Sequence, residues 1–334
     1  MRSGARSMAI LGLVALMVSA GSLFVGPVRI RPVELVEALR AREYGSLAWQ
    51  IVVHQRLPRI ILGFVAGGCL AVAGAAFQGL LGNPLATPYT LGLSGGSALG
   101  AVLALWVPHI VGVAGPAPPA LLGALITAVA VYLLAVRRSG LRSEDLILAG
   151  VTIGFFCSAM VLLVRYLASP HQVVLMDRWL MGGLEQIGFR QLSGILPYAG
   201  AGVAMLLACH RELDQVAFGQ DLAAGRGVSV PALQRLVYMA GTIGTAAVVS
   251  VAGPIAFVGL IVPHTLRRIV GFSHGILLPS CFLGGAVFLV CCDAVARSVL
   301  APAELPVGII TAGIGGPFFL FLLLRSSRLP RSPR

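Results

Sequence analysis

The sequence contains no lysine: all 24 of its basic side chains are arginine. A phosphate-binding P-loop requires a lysine, and a Schiff base with retinal or pyridoxal phosphate requires a side-chain amine. The chain therefore carries neither kind of site. Any step driven by P-loop ATP hydrolysis has to be supplied by another subunit.

Charge of either sign is also scarce, since 11% of the residues are charged and 57% are hydrophobic. So few charges cannot cover the surface of a water-soluble globule of 334 residues, and apolar runs recur along the whole length. In hydrocarbon every backbone polar group must be satisfied internally, which favours helices. The composition predicts an all-α, polytopic protein of the lipid bilayer, with residues 1–334 forming a single transmembrane domain.

Composition gives no sign of nucleic-acid or metal binding. The net charge is +12, but the arginines are scattered between apolar runs and form no continuous basic stripe, so no nucleic-acid partner is expected. The six cysteines show no C-x-x-C spacing and the six histidines no H-E-x-x-H pattern. We expect no metal site and no cofactor in this chain.

Hydropathy predicts about ten membrane-spanning helices. They cover roughly residues 8–26, 60–81, 91–108, 117–136, 145–168, 191–209, 235–252, 255–267, 276–296 and 306–325. The start of the chain imitates a signal peptide, but its apolar run continues to about Val28, so we interpret it as a retained first helix. Ten spans place both termini on one side, and the short-loop arginines assign that side to the cytoplasm. Residues 29–59 then lie outside with six arginines that topology does not explain.

A weak internal repeat accompanies these spans. Gln55-Arg56-Leu57 recurs as Gln234-Arg235-Leu236, and Val72-Ala73-Gly74 recurs as Val251-Ala252-Gly253 at the same offset. On the predicted topology the two copies run in opposite directions, which is an inverted repeat and typical of transporters. Chance similarity among small apolar residues is the other reading.

Three local patterns carry alternative readings. Asp293 and Arg297 stand four residues apart, which indicates either an intrahelical ion pair or an arginine presented to a partner. Gly92-Leu93-Ser94-Gly95 matches the G-x-S-G of intramembrane serine proteases, with His264 or His274 as the required partner. Close pairs such as Gly63 and Gly67 predict tight helix packing.

The longest polar stretch assigned to the cytoplasm covers about residues 210–233. Within it, Gln220-Asp221-Leu222-Ala223-Ala224 followed by Gly225-Arg226-Gly227 predicts a short helix that ends at a glycine turn. Such an element suits docking into the groove of a partner.

Several ordered motifs together resemble the permease family of type II ABC importers, which take up iron-siderophores, haem and cobalamin. The resemblance covers nearly the whole chain. It rests on Arg56-Leu57-Pro58-Arg59, on the turn from Gln78 to Pro88, on Leu91 to Gly96, on Leu148-Ala149-Gly150, on Trp179 to Gly183, on Gly253 to His264, and on Glu304 to Gly308 with Gly316 to Phe319.

The resemblance implies a ten-helix subunit that pairs with a second permease copy, most simply as a homodimer. Two ATP-binding cassette subunits, which bind the ATP, would dock on the cytoplasmic side, and a periplasmic substrate-binding protein would dock outside. Its implied site residues form three groups. They are Arg56, Arg59 and Arg297 for binding-protein docking, Asn83, Leu85, Arg142 and Ser143 at the cytoplasmic gate, and Gln220, Asp221, Ala224, Gly225 and Gly227 for coupling to the ATPase. The sequence fits the family's gate pair only loosely at Arg142 and Ser143.

The resulting expectation is a permease subunit, not an enzyme, in the bacterial inner membrane. It would import a metal chelate by alternating access, with an iron-siderophore favoured over haem or cobalamin by its frequency in the family. An ion-coupled secondary transporter is the first alternative, and it would be expected to bury coupling carboxylates in its spans. The intramembrane protease is the second.

Overall fold

The structure is a computed structural model that describes residues 2–28, 30–42, 45–107, 115–137, 140–185 and 188–326. This part of the chain is almost entirely helical. Its helices are α1 Arg2–Ser22, α2 Pro32–Ala41, α3 Leu47–Trp49, α4 Leu57–Leu81, α5 Leu93–Trp106, α6 Ala117–Ala135, α7 Ser143–Leu167, α8 Pro170–Leu180, α9 Phe189–Ala208, α10 His210–Val216, α11 Gln220–Gly225, α12 Val230–Ala252, α13 Val258–Val270, α14 His274–Ala296 and α15 Val307–Ser326. A π-helical segment, Gln50–Arg56, leads into α4. Two strands of two residues, Val136–Arg137 and Gly140–Leu141, pair antiparallel.

Each of the ten predicted spans corresponds to one helix, so the all-α, multi-pass prediction is confirmed. Six helices are long and apolar enough to cross a membrane, and α1, α5 and α15 contain shorter apolar stretches. The tenth, α13, has 13 residues, in agreement with the short span predicted there. The protein is therefore a multi-pass membrane protein.

The sequence analysis missed the short helices α2, α8 and α10. Two of them carry ordinary start signals: proline is the first residue of α2 and α8, and Ser169 forms a capping box with Gln172 at the start of α8. Each is too short to produce a long apolar run, which is why a search for membrane spans passes over them.

The core is built around α4, which packs against α12, α13 and α14. Close approach is possible because glycines meet where helices cross. Gly67 of α4 faces Gly285 of α14, and a Cβ on either would overlap the backbone carbonyl of the other. A Cβ on Gly74 of α4 would overlap the carbonyl of Gly259 of α13, and a Cβ on Gly259 would overlap that of Leu70. The predicted glycine packing is thus confirmed for α4, as is usual for membrane helices, where small residues let backbones approach.

The helices α4 and α14 run antiparallel and define the two ends of the bundle. Arg59, near the start of α4, contacts Asp293, near the end of α14, whereas Gly79 of α4 faces His274, the first residue of α14. We call the first the arginine end and the second the loop end. The 25 residues of α4 separate them by about 37 Å.

The helices that carry the two copies of the internal repeat also lie antiparallel. Phe77, close to the end of α4, packs against Tyr238 and Gly241 in the first half of α12. The two copies therefore run in opposite directions along neighbouring helices, as an inverted repeat requires.

Candidate functional site

The three arginines of the predicted docking site lie together at the arginine end, within one network. Arg59 donates from Nε to Oδ1 of Asp293 at 2.8 Å and from Nη1 to Oε2 of Glu304 at 2.5 Å. The other carboxylate oxygen of Asp293 lies 3.0 Å from Nε of Arg297. We call Arg56, Arg59, Asp293, Arg297 and Glu304 the arginine cluster.

Backbone carbonyls after α1 bind the remaining guanidinium groups. Arg297 donates to the carbonyls of Val25, at 2.8 Å, and Ser22, at 3.3 Å. Arg56 donates to the carbonyls of Leu23, at 2.8 Å, and Val28, at 2.5 Å. The segment that leaves α1 is therefore held against the start of α4 and the end of α14 by two arginines.

These arginines are buried, with exposed fractions of 5% for Arg56, 6% for Arg59 and 2% for Arg297. Buried charges are stabilised by pairing and hydrogen bonds. The network gives each guanidinium at least one such partner, while Nη2 of Arg59 and Nε of Arg297 make no hydrogen bond among the described residues. Of the two readings of Asp293 and Arg297, the intrahelical ion pair is present in the structure. Docking of another protein at this cluster stays a prediction.

The cluster opens into a cavity of about 250 Å³. The cavity is lined by Pro27, Val28, Ile51, His54, Gln55, Arg56, Arg59, Glu185, Arg297 and Glu304. Arg59 Nη2 is buried there and has no hydrogen-bond partner among the described residues. The cluster itself holds three guanidinium groups and two carboxylates, an excess of one positive charge.

Sequence reasoning missed the role of Glu304 and the link from Asp293 to Arg59. The contact between Arg59 and Glu304 spans 245 positions in sequence. The one available signal was Asp293, an acid inside the apolar run of α14. A carboxylate in a membrane helix needs a cation as a partner.

At the loop end, the turn after α4 is organised by its own side chains. Oδ1 of Asn83 accepts from the backbone N–H of Leu85 at 2.9 Å, and its carbonyl accepts from that of Ala86 at 3.1 Å. Thr90 closes the turn by accepting from the N–H of Thr87 at 2.9 Å. Leu85 is 45% exposed, so the tip of this turn presents an apolar side chain.

The other two predicted gate residues lie at the start of α7. Arg142 is the residue before this helix and is exposed, and Ser143 is its first residue. Two turns further along, Gly150 leaves room for the backbone of Thr90 and Leu91 to pack against α7. The segment after Asn83 and the first turns of α7 are thus neighbours. A gating role for all four residues stays a prediction.

The predicted coupling segment has the shape that the sequence indicated. The helix α11 covers Gln220–Gly225, and a left-handed glycine follows at Gly227, with φ of +88°. Gln220, Asp221, Ala224, Gly225 and Gly227 are all exposed. Ala223, fully buried, anchors the helix on the bundle, whereas Phe218 and Leu222 are 74% and 60% exposed. The segment is a fixed protrusion with an apolar tip.

Asp214 of α10 joins the coupling segment to the bundle. Its carboxylate accepts from the backbone N–H of His274 at 2.6 Å, from Nδ1 of the same residue at 2.7 Å and from the hydroxyl of Ser273 at 3.0 Å. Burial alone would raise the pKa of Asp214, but these hydrogen bonds outweigh it and the pKa lies below its ordinary value. The carboxylate therefore caps the start of α14 from a different helix.

His274 also connects Asp214 to the turn after α4, which we call the gate turn (residues 82–90). Its ring packs on Gly79, in the last turn of α4. Both ends of α13 contact α4 nearby: Arg267 donates to Oε1 of Gln78, and Gln78 donates to the carbonyl of Gly259 at 3.0 Å. From the sequence, His274 was a candidate only as the histidine partner of an intramembrane protease. Its contacts with α4 and α10 require the folded chain.

The protease reading finds no support in this geometry. His274 is bonded to Asp214, and His264 packs edge-on against the ring of Phe318. No hydrogen bond in the described part of the chain joins Ser94 to either histidine. No group of three metal-binding side chains comes together among the described residues.

The secondary-transporter reading requires carboxylates buried in the spans for ion coupling. Asp293 is buried in α14, but it lies near the end of that helix and is held by two arginines. Its charge is already compensated, which does not suit reversible binding of a coupling cation.

Comparisons with known proteins agree over nearly the whole length. A profile of the FecCD transport family matches residues 11–325. The chain is 43% identical to the cobalamin import system permease protein of Halobacterium salinarum over 275 residues, 82% of this chain and 73% of the relative. It is 33% identical to the iron(3+)-hydroxamate import system permease protein of Bacillus subtilis over 331 residues, 96% of this chain and 97% of the relative. A solved metal-chelate type ABC transporter in an inward-facing conformation matches with a TM-score of 0.83 at 29% identity, covering 96% of this chain and 99% of the other.

Proposed function

Since this chain belongs to the FecCD transport family of ABC importer permeases, we propose that it forms the membrane path for a metal chelate and admits it by alternating access. The observation that carries the proposal is the match over 96% of the chain to a metal-chelate type ABC transporter. An iron-siderophore is the first cargo, with haem and cobalamin as alternatives. The relatives named for cobalamin and for iron hydroxamate both support a chelate.

In this proposal the energy comes from two separate ATP-binding subunits that dock at the loop end. The chain has no lysine for a P-loop of its own. The support for docking is the protruding segment around α11, whose exposed Phe218 and Leu222 give an apolar tip that a groove can bind. Motion received there reaches α14 through Asp214 and the gate turn through His274 and Gly79.

The arginine end then faces the periplasm and receives a substrate-binding protein. Its supporting feature is the excess positive charge of the arginine cluster, which attracts acidic side chains through the cavity. This orientation puts the loop end and both termini in the cytoplasm of a bacterium, with the subunit in the inner membrane. The many short-loop arginines agree with it by the positive-inside rule.

A second copy of the chain completes the path. The face that supports this lies on α7, where Phe155, Phe156 and Tyr166 are between 61% and 87% exposed. Exposed large apolar side chains on a membrane helix contact either lipid or another helix. In the proposed dimer the two copies enclose an apolar path that suits weak, reversible contact with a large chelate. Asn83, Leu85, Arg142 and Ser143 close its inner end, and no residue performs covalent chemistry.

The experiment that tests this function is uptake into cells that lack their own permease for each cargo. Cells that produce this chain with its ATP-binding and substrate-binding proteins receive ⁵⁵Fe-ferrichrome, haemin or ⁵⁷Co-cyanocobalamin. We expect accumulation of one cargo that stops when the ATP-binding subunit is inactivated. Accumulation of none of the three, or uptake that persists with an inactive ATPase, would refute the proposal.

A further inference from the structure

Arg59 is bound by two carboxylates that differ in how firmly they are held. The side chain of Asp293 is 2% exposed and is enclosed within α14. The side chain of Glu304 is 30% exposed and belongs to the non-helical link between α14 and α15. Of the two, Glu304 is the one that can leave without moving a membrane helix.

The guanidinium of Arg59 is only partly used. Nε binds Asp293 and Nη1 binds Glu304, while Nη2 is buried without a partner among the described residues. A guanidinium binds a carboxylate best through two parallel hydrogen bonds. The fork made by Nη1 and Nη2 is the remaining edge for such a pair, and Glu304 occupies one half of it.

The charge balance favours an additional carboxylate at this place. Three guanidinium groups and two carboxylates leave one positive charge in excess beside a cavity of about 250 Å³. An uncompensated buried charge is unfavourable and attracts an anion. An incoming carboxylate that takes both nitrogens of the fork has to displace Glu304 from Nη1.

We propose that Glu304 is an internal placeholder that a carboxylate of the docking protein displaces from Arg59, which releases the link into α15. This inference rests on the proposed function, because it requires a binding protein at the arginine end. The link is also held at its two ends, by Arg297 at the end of α14 and by Val307, which is 1% exposed in the core. Leu305 donates to the carbonyl of Ala296 at 3.1 Å, and Gly308 donates to that of Gly182 at 3.1 Å. The bond between Arg59 and Glu304 is a side-chain bond that joins this link to the start of α4, and its loss frees the link on that side.

The test measures the affinity of the complete transporter, in nanodiscs, for the binding protein that supports uptake in the experiment above. Glu304→Gln keeps the size of the side chain and an acceptor oxygen but removes the charge that competes. The matched control is Glu185→Gln, which removes a charge from the same cavity but from a residue paired with Arg178. We expect the dissociation constant to fall about threefold to tenfold in the first variant and less than twofold in the control.

A second readout follows the link directly. A spin label at residue 303, in place of Ala303, should become more mobile when binding protein is added to the wild type. In Glu304→Gln, where the charge that strengthens the bond to Arg59 is absent, the label should already be more mobile than in the wild type before binding protein is added. Unchanged or weaker binding by Glu304→Gln, or a label whose mobility does not respond to docking, overturns the inference.

The failure of the inference can be told apart from that of the proposed function. If Arg59→Gln weakens docking while Glu304→Gln does not strengthen it, the placeholder role is wrong and docking at the cluster stands. If Arg59→Gln binds as the wild type does, the docking assignment itself is wrong.

Discussion

The contacts of Asp214 predict a large effect for the variant Asp214→Ala. The substitution removes all three hydrogen bonds that the carboxylate accepts and leaves the N–H and Nδ1 of His274, which is 3% exposed, without a partner. An unsatisfied buried polar group costs about 1–3 kcal/mol, and loss of a helix cap costs about 0.5–2 kcal/mol. Because these contributions overlap at the same N–H, we expect a loss of about 2–4 kcal/mol in the free energy of unfolding.

The assay is thermal unfolding of the purified protein in detergent, where we expect the midpoint to fall by several degrees. Asp221→Ala is the matched control for stability, since Asp221 is exposed on α11 and its removal leaves no buried group unpaired. Asp214→Asn should lie between the two, because it keeps an acceptor oxygen and loses the charge at the helix start. If Asp214→Ala and Asp221→Ala unfold at the same temperature, the capping argument is wrong.

The pH dependence has a definite sign. The pKa of Asp214 is lowered from its ordinary value of 3.8 in the folded protein. The stability that its ionised form contributes is therefore fully present above 3.8 and is lost as the pH falls through the lower, folded pKa. The difference in unfolding midpoint between wild type and Asp214→Asn should have its full size at neutral pH. It should shrink as the pH falls below 3.8.

Three other variants test the remaining assignments. Arg56→Glu combined with Arg59→Glu should abolish association with the binding protein by reversing two charges, and association like that of the wild type would exclude docking at the cluster. Gly227→Ala places a Cβ at φ of +88° and should destabilise the native conformation of the coupling segment by about 1 kcal/mol. Transport should then drop while ATPase activity persists, and unaltered coupling would contradict the assignment. Gly67→Val should lower the unfolding midpoint strongly because no space exists between α4 and α14, whereas Gly12→Val, with nothing within 4 Å, should not; equal midpoints would refute the packing argument.

The spans could be predicted from the sequence because burial in lipid demands continuous apolar runs, which hydropathy measures directly. The prediction for 60–81 compares with Leu57–Leu81, and that for 276–296 with His274–Ala296. The helices α2 and α8 were not predicted because they lie outside the spans. Their sequence signals are capping residues and an amphipathic pattern over about ten residues, not a long apolar run. Short amphipathic segments do not differ enough from loops in average hydropathy.

The candidate site was predictable only where it is local in sequence. The glycines around α11 mark a short helix and its end, and the structure has both. The arginine cluster is different, because Arg59 meets Asp293 across 234 positions. No spacing rule reaches that far. The sequence could mark the three arginines and the ion pair between Asp293 and Arg297, but it could not predict that the fold joins them in one buried network.

The arginine end and the loop end are joined by the same two helices, which limits how the protein can move. Arg59 and Gly79 both belong to α4, and Asp293 and His274 both belong to α14. Between these end contacts, Gly67 and Gly285 bring the two helices into direct backbone contact, with no space for a Cβ on either glycine. Packed interfaces of this kind switch between discrete arrangements and do not deform continuously. We infer that α4 and α14 move as one rigid pair, so that a change at the arginine cluster and a change at the coupling segment act on the same body from opposite ends.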